Sequence, residues 1–285
     1  EDVDIAFMEQ KPNFWALVPM LCEILMKSER IPEDYDMSHL RSIGTGAEAM
    51  NERKTKEVEE FFHKHNVKAT LSAGYGQSEG CSNFTLPNPA FPLVDGCVGM
   101  PMPGTIMSVF SEDLEELSYG EIGELCMTGP SIMLHYAGWR GSELTERALV
   151  THPDGKCWLH TGDTAYLNEY GIVYILGRGT TKRFGGGEID MMRLETKAVR
   201  TPGIKDGFFC FVPDEEHQGY FLPYFFAILD ETKTLEEVEK GLAEALEDYE
   251  YPVEIRVIQE RPFFHFKTNR KELTAAILEE KKSQN

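Results

Sequence analysis

Basic residues are scarce in this 285-residue chain. Lys and Arg together number 28 against 48 Asp and Glu, a formal net charge of -20. Nucleic acids and anionic membranes select basic faces, so neither is expected as the main partner. The same charge repels an anionic substrate unless the site is locally positive, which directs attention to the few well-placed Arg and Lys residues. The six cysteines (Cys22, Cys81, Cys97, Cys126, Cys157 and Cys210) contain no CxxC pair. That spacing disfavours a zinc site and a disulfide framework, and it fits a reducing cytoplasm. No apolar run approaches the ~20 residues of a membrane-spanning helix, and no signal peptide opens the chain. It begins Glu1-Asp2-Val3-Asp4 without methionine, as a piece of a longer protein would. What is present suits a globular protein of two domains: the length allows a sizeable core, and 41% of residues are hydrophobic.

The most informative stretch runs from Cys157 to Glu195. It reads as a strand ending on Thr161-Gly162-Asp163, then a hairpin turning at Asn168-Glu169-Tyr170-Gly171 into the apolar run Ile172–Leu176. Gly177-Arg178-Gly179 closes the hairpin, and Gly185, Gly186 and Gly187 follow. A carboxylate at 163 can accept two hydroxyl hydrogen bonds from a sugar. A guanidinium at 178 can grip phosphate with paired donors. The glycines allow the backbone to bend and approach a ligand. Taken alone, these residues fit a nucleotide site beside a joint, or equally a turn Asp, a surface ion pair and a loose loop.

Upstream, Phe14–Met26 reads as one buried helix capped by Asn13. Leu40–Ile43 reads as a strand leading into Gly44-Thr45-Gly46-Ala47-Glu48-Ala49-Met50, with Asn51 capping a helix over Glu52–Asn66. A strand, a small-residue loop and a helix start can expose backbone N–H groups to a ligand, or form an ordinary βα turn. A strand over Ala69–Ala73 breaks into Gly74-Tyr75-Gly76-Gln77-Ser78-Glu79-Gly80. A short helix covers Ser142–Ala148. The lone His135, His152 and His160 read as structural or surface residues rather than ligands. The tail alternates: helix Met191–Val199, strands Asp206–Val212 and Phe221–Leu229, amphipathic helix Leu235–Leu246, strand Val253–Ile258.

In combination these segments resemble the adenylate-forming superfamily of acyl- and aryl-CoA synthetases, carrier-protein adenylation domains and luciferases. Tyr75, Gly76, Ser78 and Glu79 match a YGxTE element, with serine keeping the hydroxyl. Gly96–Gly104 resembles an SVGxPxPG connector, and Gly120–Leu125 with Gly129-Pro130 a GExGEL…GP element. Thr161-Gly162-Asp163 and Gly177-Arg178 match the TGD and GR motifs. Arg183 with Gly186 stands for the lysine- and glycine-containing loop, and Arg193-Leu194-Glu195 for an acidic helix start. Pro202-Gly203-Ile204 and Val212-Pro213-Asp214-Glu215 match HPGV and VPDE elements. Arg261–Leu273 resembles the closing P…GKxxRxxL motif, with Lys267, Arg270 and Leu273 in register and Phe266 replacing glycine.

The resemblance implies α/β and α+β architecture: residues 1–177 as the later part of the large AMP-binding domain, and 178–285 as a small mobile lid joined near 179–180. It implies ATP/AMP, Mg²⁺ and CoA as cofactors and a small carboxylic acid as substrate. Gly46, Ala47 and Glu48 would line the adenine and acyl pocket, with Gly74, Tyr75 and Gly76 against the purine. Ser78 would donate to the α-phosphate and Glu79 would hold Mg²⁺. Asp163 would hold the ribose, Arg178 ribose or phosphate. Lys267 would bridge the carboxylate and phosphate oxygens before the lid rotates and brings Gly185-Gly186-Gly187 to the thiol channel. The family's SGTTGxPK phosphate loop has no counterpart in the chain, so the expectation is a C-terminal portion with little synthetase activity alone. Other readings are a non-catalytic nucleotide-binding or interaction module, an acyl-AMP ligase, or an amino-acid adenylation enzyme.

Overall fold

The computed structural model describes residues 2–48, 50, 52–86, 96–178, 191–247, 253–264 and 267–284. The chain divides into two compact units, one of Glu1–Met50 with Thr55–Gly179 and one of Asn51–Lys54 with Thr180–Asn285.

The chain opens with α1 (Val3–Gln10), β1 (Phe14–Leu17), α2 (Pro19–Met26), β2 (Ser42–Thr45), α3 (Glu52–Lys64, in the first unit from Thr55 on) and β3 (Leu71–Ala73). β1, β2 and β3 lie side by side in that order, all parallel. Leu17, Leu25, Ile43, Val58, Phe62 and Leu71 meet in their core. The single helix expected over Phe14–Met26 is therefore wrong. Phe14 to Leu17 pair with Ser42 to Thr45 as a strand. Val18 is extended (φ -92, ψ 154), as a residue before proline tends to be, and Pro19 starts the helix. Asn13 caps nothing there; its amide donates to the His39 carbonyl at 2.9 Å. The expected Asn51 cap lies outside the described residues.

The chain then builds an antiparallel sheet from β4 (Cys97–Gly99), β5 (Ile106–Phe110), β6 (Gly123–Thr128), β7 (Leu149–Thr151), β8 (Cys157–Leu167) and β9 (Val173–Arg178). Its order is β4-β9-β8-β6-β5, with β7 on β8 and α4 (Gly141–Ala148) leading into β7. Alternation splits its residues between two faces. Leu125, Met127, Leu159 and Val109 enter one core, while Phe110, Cys126 and Trp158 cluster apart. The Asn168–Gly171 turn falls where expected, closed by Asn168 N–H to the Ile172 carbonyl and Gly171 N–H to that of Asn168.

Thr161-Gly162-Asp163 does not end a strand. β8 continues through it to Leu167. Glu124 pairs with Thr164 and Cys126 with His160, so these three residues face Leu125 alone in a wide bulge. Gly162 there has φ +72, a conformation that suits glycine.

The second unit contains α5 (Met191–Val199), β10 (Ile204–Pro213), β11 (Phe221–Leu229), α6 (Leu235–Ala245), β12 (Glu254–Val257), β13 (Phe263–Phe264), β14 (Lys267–Thr268) and α7 (Arg270–Gln284). Its sheet, β10-β11-β12, is covered on both faces. Phe209 and Phe225 pack with Leu194, Ala198, Val238 and Leu242 of α5 and α6, while Phe208, Cys210 and Tyr224 pack with Ile277 of α7. Thr234 and Glu237 close a capping box at the start of α6.

One buried ion pair fastens this unit. Arg261 donates to both Asp206 oxygens, Nε at 3.0 Å and Nη2 at 2.7 Å, and its guanidinium lies 4.7 Å from the Phe208 ring centre. Burial works to raise the Asp206 carboxyl, but the Arg261 charge and hydrogen bonds outweigh it and hold the pKa below the usual range. A carboxylate depressed in this way adds stability above its unfolded pKa near 4 and loses that stability as pH falls. Arg261→Met removes both guanidinium hydrogen bonds from a carboxylate that stays buried, and urea unfolding at pH 7 should show a loss of about 3 kcal/mol that narrows toward pH 3.

Candidate functional site

Two loops bring most of the nominated residues of the first unit together. One follows β2 and carries Gly46, Ala47 and Glu48; the other follows β3 and carries Gly74 to Glu79. Both leave the carboxyl ends of parallel strands, where open α/β sheets place ligands. Gly74 N–H donates to the Thr45 carbonyl at 2.9 Å, and a Cβ on Gly46 would stand 3.1 Å from the Gly74 carbonyl. Ala47 adopts φ 68, rare for a residue with a side chain.

The second loop folds back on itself. Phe84 and Thr85 N–H groups donate to the Tyr75 carbonyl, and Tyr75 N–H donates to Thr85 Oγ1. Gly76 is held closely by the loop itself. A Cβ there would lie 1.5 Å from the Ser82 carbonyl, so the loop closes only around glycine. Gly80 likewise sits against the Phe84 ring. Ser78 is exposed and begins a single 3-10 turn, Ser78–Gly80.

The centre of the site is Asp163, delivered by the β8 bulge. Tyr75 donates its hydroxyl to Asp163 Oδ2. Gln77 Nε2 donates to the same oxygen at 2.9 Å, to the Thr161 carbonyl at 2.8 Å and to the Tyr75 hydroxyl at 3.1 Å. Arg178, paired with Asp163 across β8 and β9, has its Nε 3.9 Å from Oδ1. Its side chain is 73% exposed against 8% for Asp163, so the guanidinium can reach a ligand from the rim. The bulge is anchored: Thr161 Oγ1 donates to the Leu125 carbonyl at 2.6 Å, and Gly162 N–H donates to Glu124 Oε1 at 3.0 Å.

Burial pushes the Asp163 carboxyl above its ordinary pKa, against the hydrogen bonds from Tyr75 and Gln77 and the Arg178 charge. Burial also raises the Tyr75 phenol, reinforced by the Asp163 charge. Glu79 lies nearby in sequence with its own partner: Tyr136 donates its hydroxyl to Oε1 at 2.6 Å. Burial, then Glu79, pushes the Tyr136 phenol up to about 12, while Arg178 opposes the rise. Sequence reasoning singled out neither Gln77, the variable position of YGxTE, nor Glu124. Tyr136, the partner of Glu79, carries no motif signal of its own. Their contacts join residues far apart in sequence, so no local pattern announces them.

Lys267 begins β14 and is exposed in the second unit. Arg270, in register behind it, is structural: it donates to Glu195 at 2.9 Å and to the Phe209 carbonyl at 3.1 Å. Gly185, Gly186, Gly187, Arg183, the Gly179-Thr180 joint and Phe266 lie outside the described residues.

A family model described as AMP-binding enzyme matches residues 4–137. Luciferin 4-monooxygenase of Luciola mingrelica is 31% identical over 225 residues, 78% of this chain and 38% of that enzyme. Residues 4–137 thus match the AMP-binding family of adenylate-forming enzymes. Within the superfamily its relatives include ligases: 4-coumarate–CoA ligase of Pinus taeda is 27% identical over 233 residues, covering 80% of this chain and 41% of that one. The chain thus spans about two fifths of the curated relatives it matches. The structure of MatB from Rhodopseudomonas palustris, solved with ATP bound, shares the fold at a TM-score of 0.77 and 23% identity, with 96% of this chain covering 52% of that one.

A carboxylate with a raised pKa carries a pH signature. Relative to the unfolded chain, the folded state holds the Asp163 proton more tightly, so stability falls as pH rises from about 4 through the folded pKa. Asp163→Asn keeps an acceptor for Tyr75 and Gln77 and removes the buried charge. Thermal unfolding across pH 4 to 8 should show that fall diminished, with the variant more stable at pH 7 by on the order of 1 kcal/mol.

Proposed function

We propose that the chain carries nucleotide-handling residues of an AMP-forming acid–thiol ligase, one that activates a carboxylate as an acyl-adenylate and passes it to CoA. The observation that carries this reading is the buried Asp163 carboxylate, oriented by Tyr75 and Gln77 and flanked by Arg178. An ionised carboxylate only accepts hydrogen bonds, so it selects hydroxyl donors such as those of a ribose. The exposed Arg178 offers a planar donor set suited to phosphate oxygens. Glu79, steadied by Tyr136, supplies the hard oxygen donor that Mg²⁺ prefers, and the ion would neutralise phosphate charge during displacement at the α-phosphorus. Gly46, Ala47 and Glu48 line the same strand ends. In this reading the second unit is the lid, and Lys267 is the cation of the adenylation step; that role is carried by the match of residues 261–273 to the closing motif.

The relatives named as CoA ligases support CoA as acceptor in the whole protein. In the whole protein, thioester formation that requires CoA would support the ligase, whereas product that stops at the adenylate would mean an acyl-AMP ligase.

The nucleotide site is tested on the 285-residue chain by calorimetry with Mg²⁺ and AMP or ATP. Asp163→Ala should weaken AMP binding by about 100-fold and Gln77→Leu by about tenfold. An AMP analogue lacking both ribose hydroxyls should bind the unsubstituted chain as weakly as AMP binds Asp163→Ala. Equal binding of AMP and that analogue would overturn the assignment of Asp163.

A further inference from the structure

Cys126, His152 and His160 come from three segments of the antiparallel sheet and meet on the face that carries Phe110 and Trp158. Cys126 of β6 and His160 of β8 are paired residues, and His152 directly follows β7. The Cys126 sulfur and one ring nitrogen of each histidine all lie within 4.8 Å of one another. Cys126 and His152 are buried, while the His160 side chain keeps 14% exposure beside Glu124, which leaves a way in. Cysteine spacing that disfavours a zinc site speaks only to ligands close together in sequence. These three are assembled by strand pairing instead.

The local hydrogen bonds fix which atoms face the centre. Glu124 Oε2 lies 2.8 Å from His160 Nδ1. An ionised carboxylate can only accept, so Nδ1 carries a proton, and in the neutral imidazole Nε2 then has the lone pair. That lone pair points at His152 Nε2, 2.8 Å away. Two imidazole nitrogens at this separation can share one proton. If His152 supplies it, its own Nδ1 is left as a buried acceptor, and that atom has no hydrogen-bond partner among the described residues. A carboxylate, a histidine and a convergent lone pair form the outer and inner parts of a carboxylate–histidine–metal arrangement.

We propose that Cys126, His152 and His160 form a binding site for a borderline divalent cation of the Zn²⁺ type, with Glu124 as the positioning residue for His160. One thiolate and two imidazoles suit Zn²⁺ and are a poor set for Mg²⁺ or Ca²⁺. On binding, the Cys126 thiol releases its proton to solvent, and the His152 proton moves from Nε2 to Nδ1, so one proton leaves per cation. Tetrahedral bonds of ordinary length place two ligating nitrogens about 3.3 Å apart, so the rings separate by about half an ångström. Three protein ligands leave a fourth position for water. The site is independent of the nucleotide assignment, although Glu124 also receives the Gly162 N–H of the bulge.

The test uses the 285-residue chain stripped of metal, with the exposed Cys81 and Cys157 replaced by serine so that surface thiols do not compete. Calorimetry with Zn²⁺ alone should give one cation per chain with a dissociation constant below micromolar. Co²⁺ should give a thiolate-to-metal absorption band. Cys126→Ala should abolish that band and weaken Zn²⁺ at least tenfold. Glu124→Gln, which keeps all three ligands, should weaken Zn²⁺ by about 10- to 100-fold with the stoichiometry unchanged. If Cys126→Ala fails to fold by circular dichroism, His152→Gln is expected to show the same weakening. Substoichiometric uptake, or uptake that neither ligand substitution alters, means adventitious binding and a hydrogen-bonded histidine relay only, and it overturns the proposal.

Discussion

Burying one carboxylate organises the first unit. Asp163 costs free energy in its apolar surroundings, as its raised pKa shows, and the neighbouring structure offsets that cost piece by piece. Tyr75 and Gln77 donate to it from the loop after β3, and Arg178 faces it from β9. The β8 bulge makes this convergence possible. A regular strand would place residue 163 in strict alternation with its neighbours. Three residues opposite Leu125 re-aim it, and the bulge's exposed groups are taken up by the Leu125 carbonyl and the Glu124 carboxylate. The loop that supplies Tyr75 and Gln77 is shaped with equal care, since the Ser82 carbonyl leaves no room for a side chain at Gly76.

Segments whose signals are local were legible in the sequence. Asn168 to Gly171 carry turn chemistry, and the hairpin forms there. α5 and β11 have the bounds read from their patterns. Other segments carry competing local signals, or are decided by distant ones. Pro19 announces a helix start and an extended residue before it, yet an apolar run from Phe14 to Met26 has the composition of a buried helix. Only pairing with β2 decides that Phe14–Leu17 is a strand. A glycine in Thr161-Gly162-Asp163 resembles a strand end, because glycine marks bulges and termini alike. Gln77 stands at a motif's variable position, and two of its partners, Thr161 and Asp163, lie more than eighty residues away.

The same alternation that fills one face of the antiparallel sheet leaves chemistry on the other. Leu125, Met127 and Leu159 go to the core, so Glu124, Cys126, Trp158 and His160 must share the opposite face. Glu124 is common to both arrangements there, with one oxygen on Gly162 and the other on His160. Orientation of the bulge and orientation of the histidine are therefore set by one side chain.

The proposed nucleotide site reconciles an acidic chain with an anionic ligand by dividing the ligand between depths. A net charge of -20 opposes any nucleotide as a whole. Asp163 is buried and meets only what can donate a hydrogen bond, so in the proposed reading the uncharged ribose lies at depth. Arg178 is at the rim, mostly exposed, where a guanidinium keeps its hydration until phosphate replaces it. The reverse order, with phosphate against Asp163, would set two anions together in a low dielectric and forfeit the Tyr75 and Gln77 hydrogen bonds that hold the carboxylate in place.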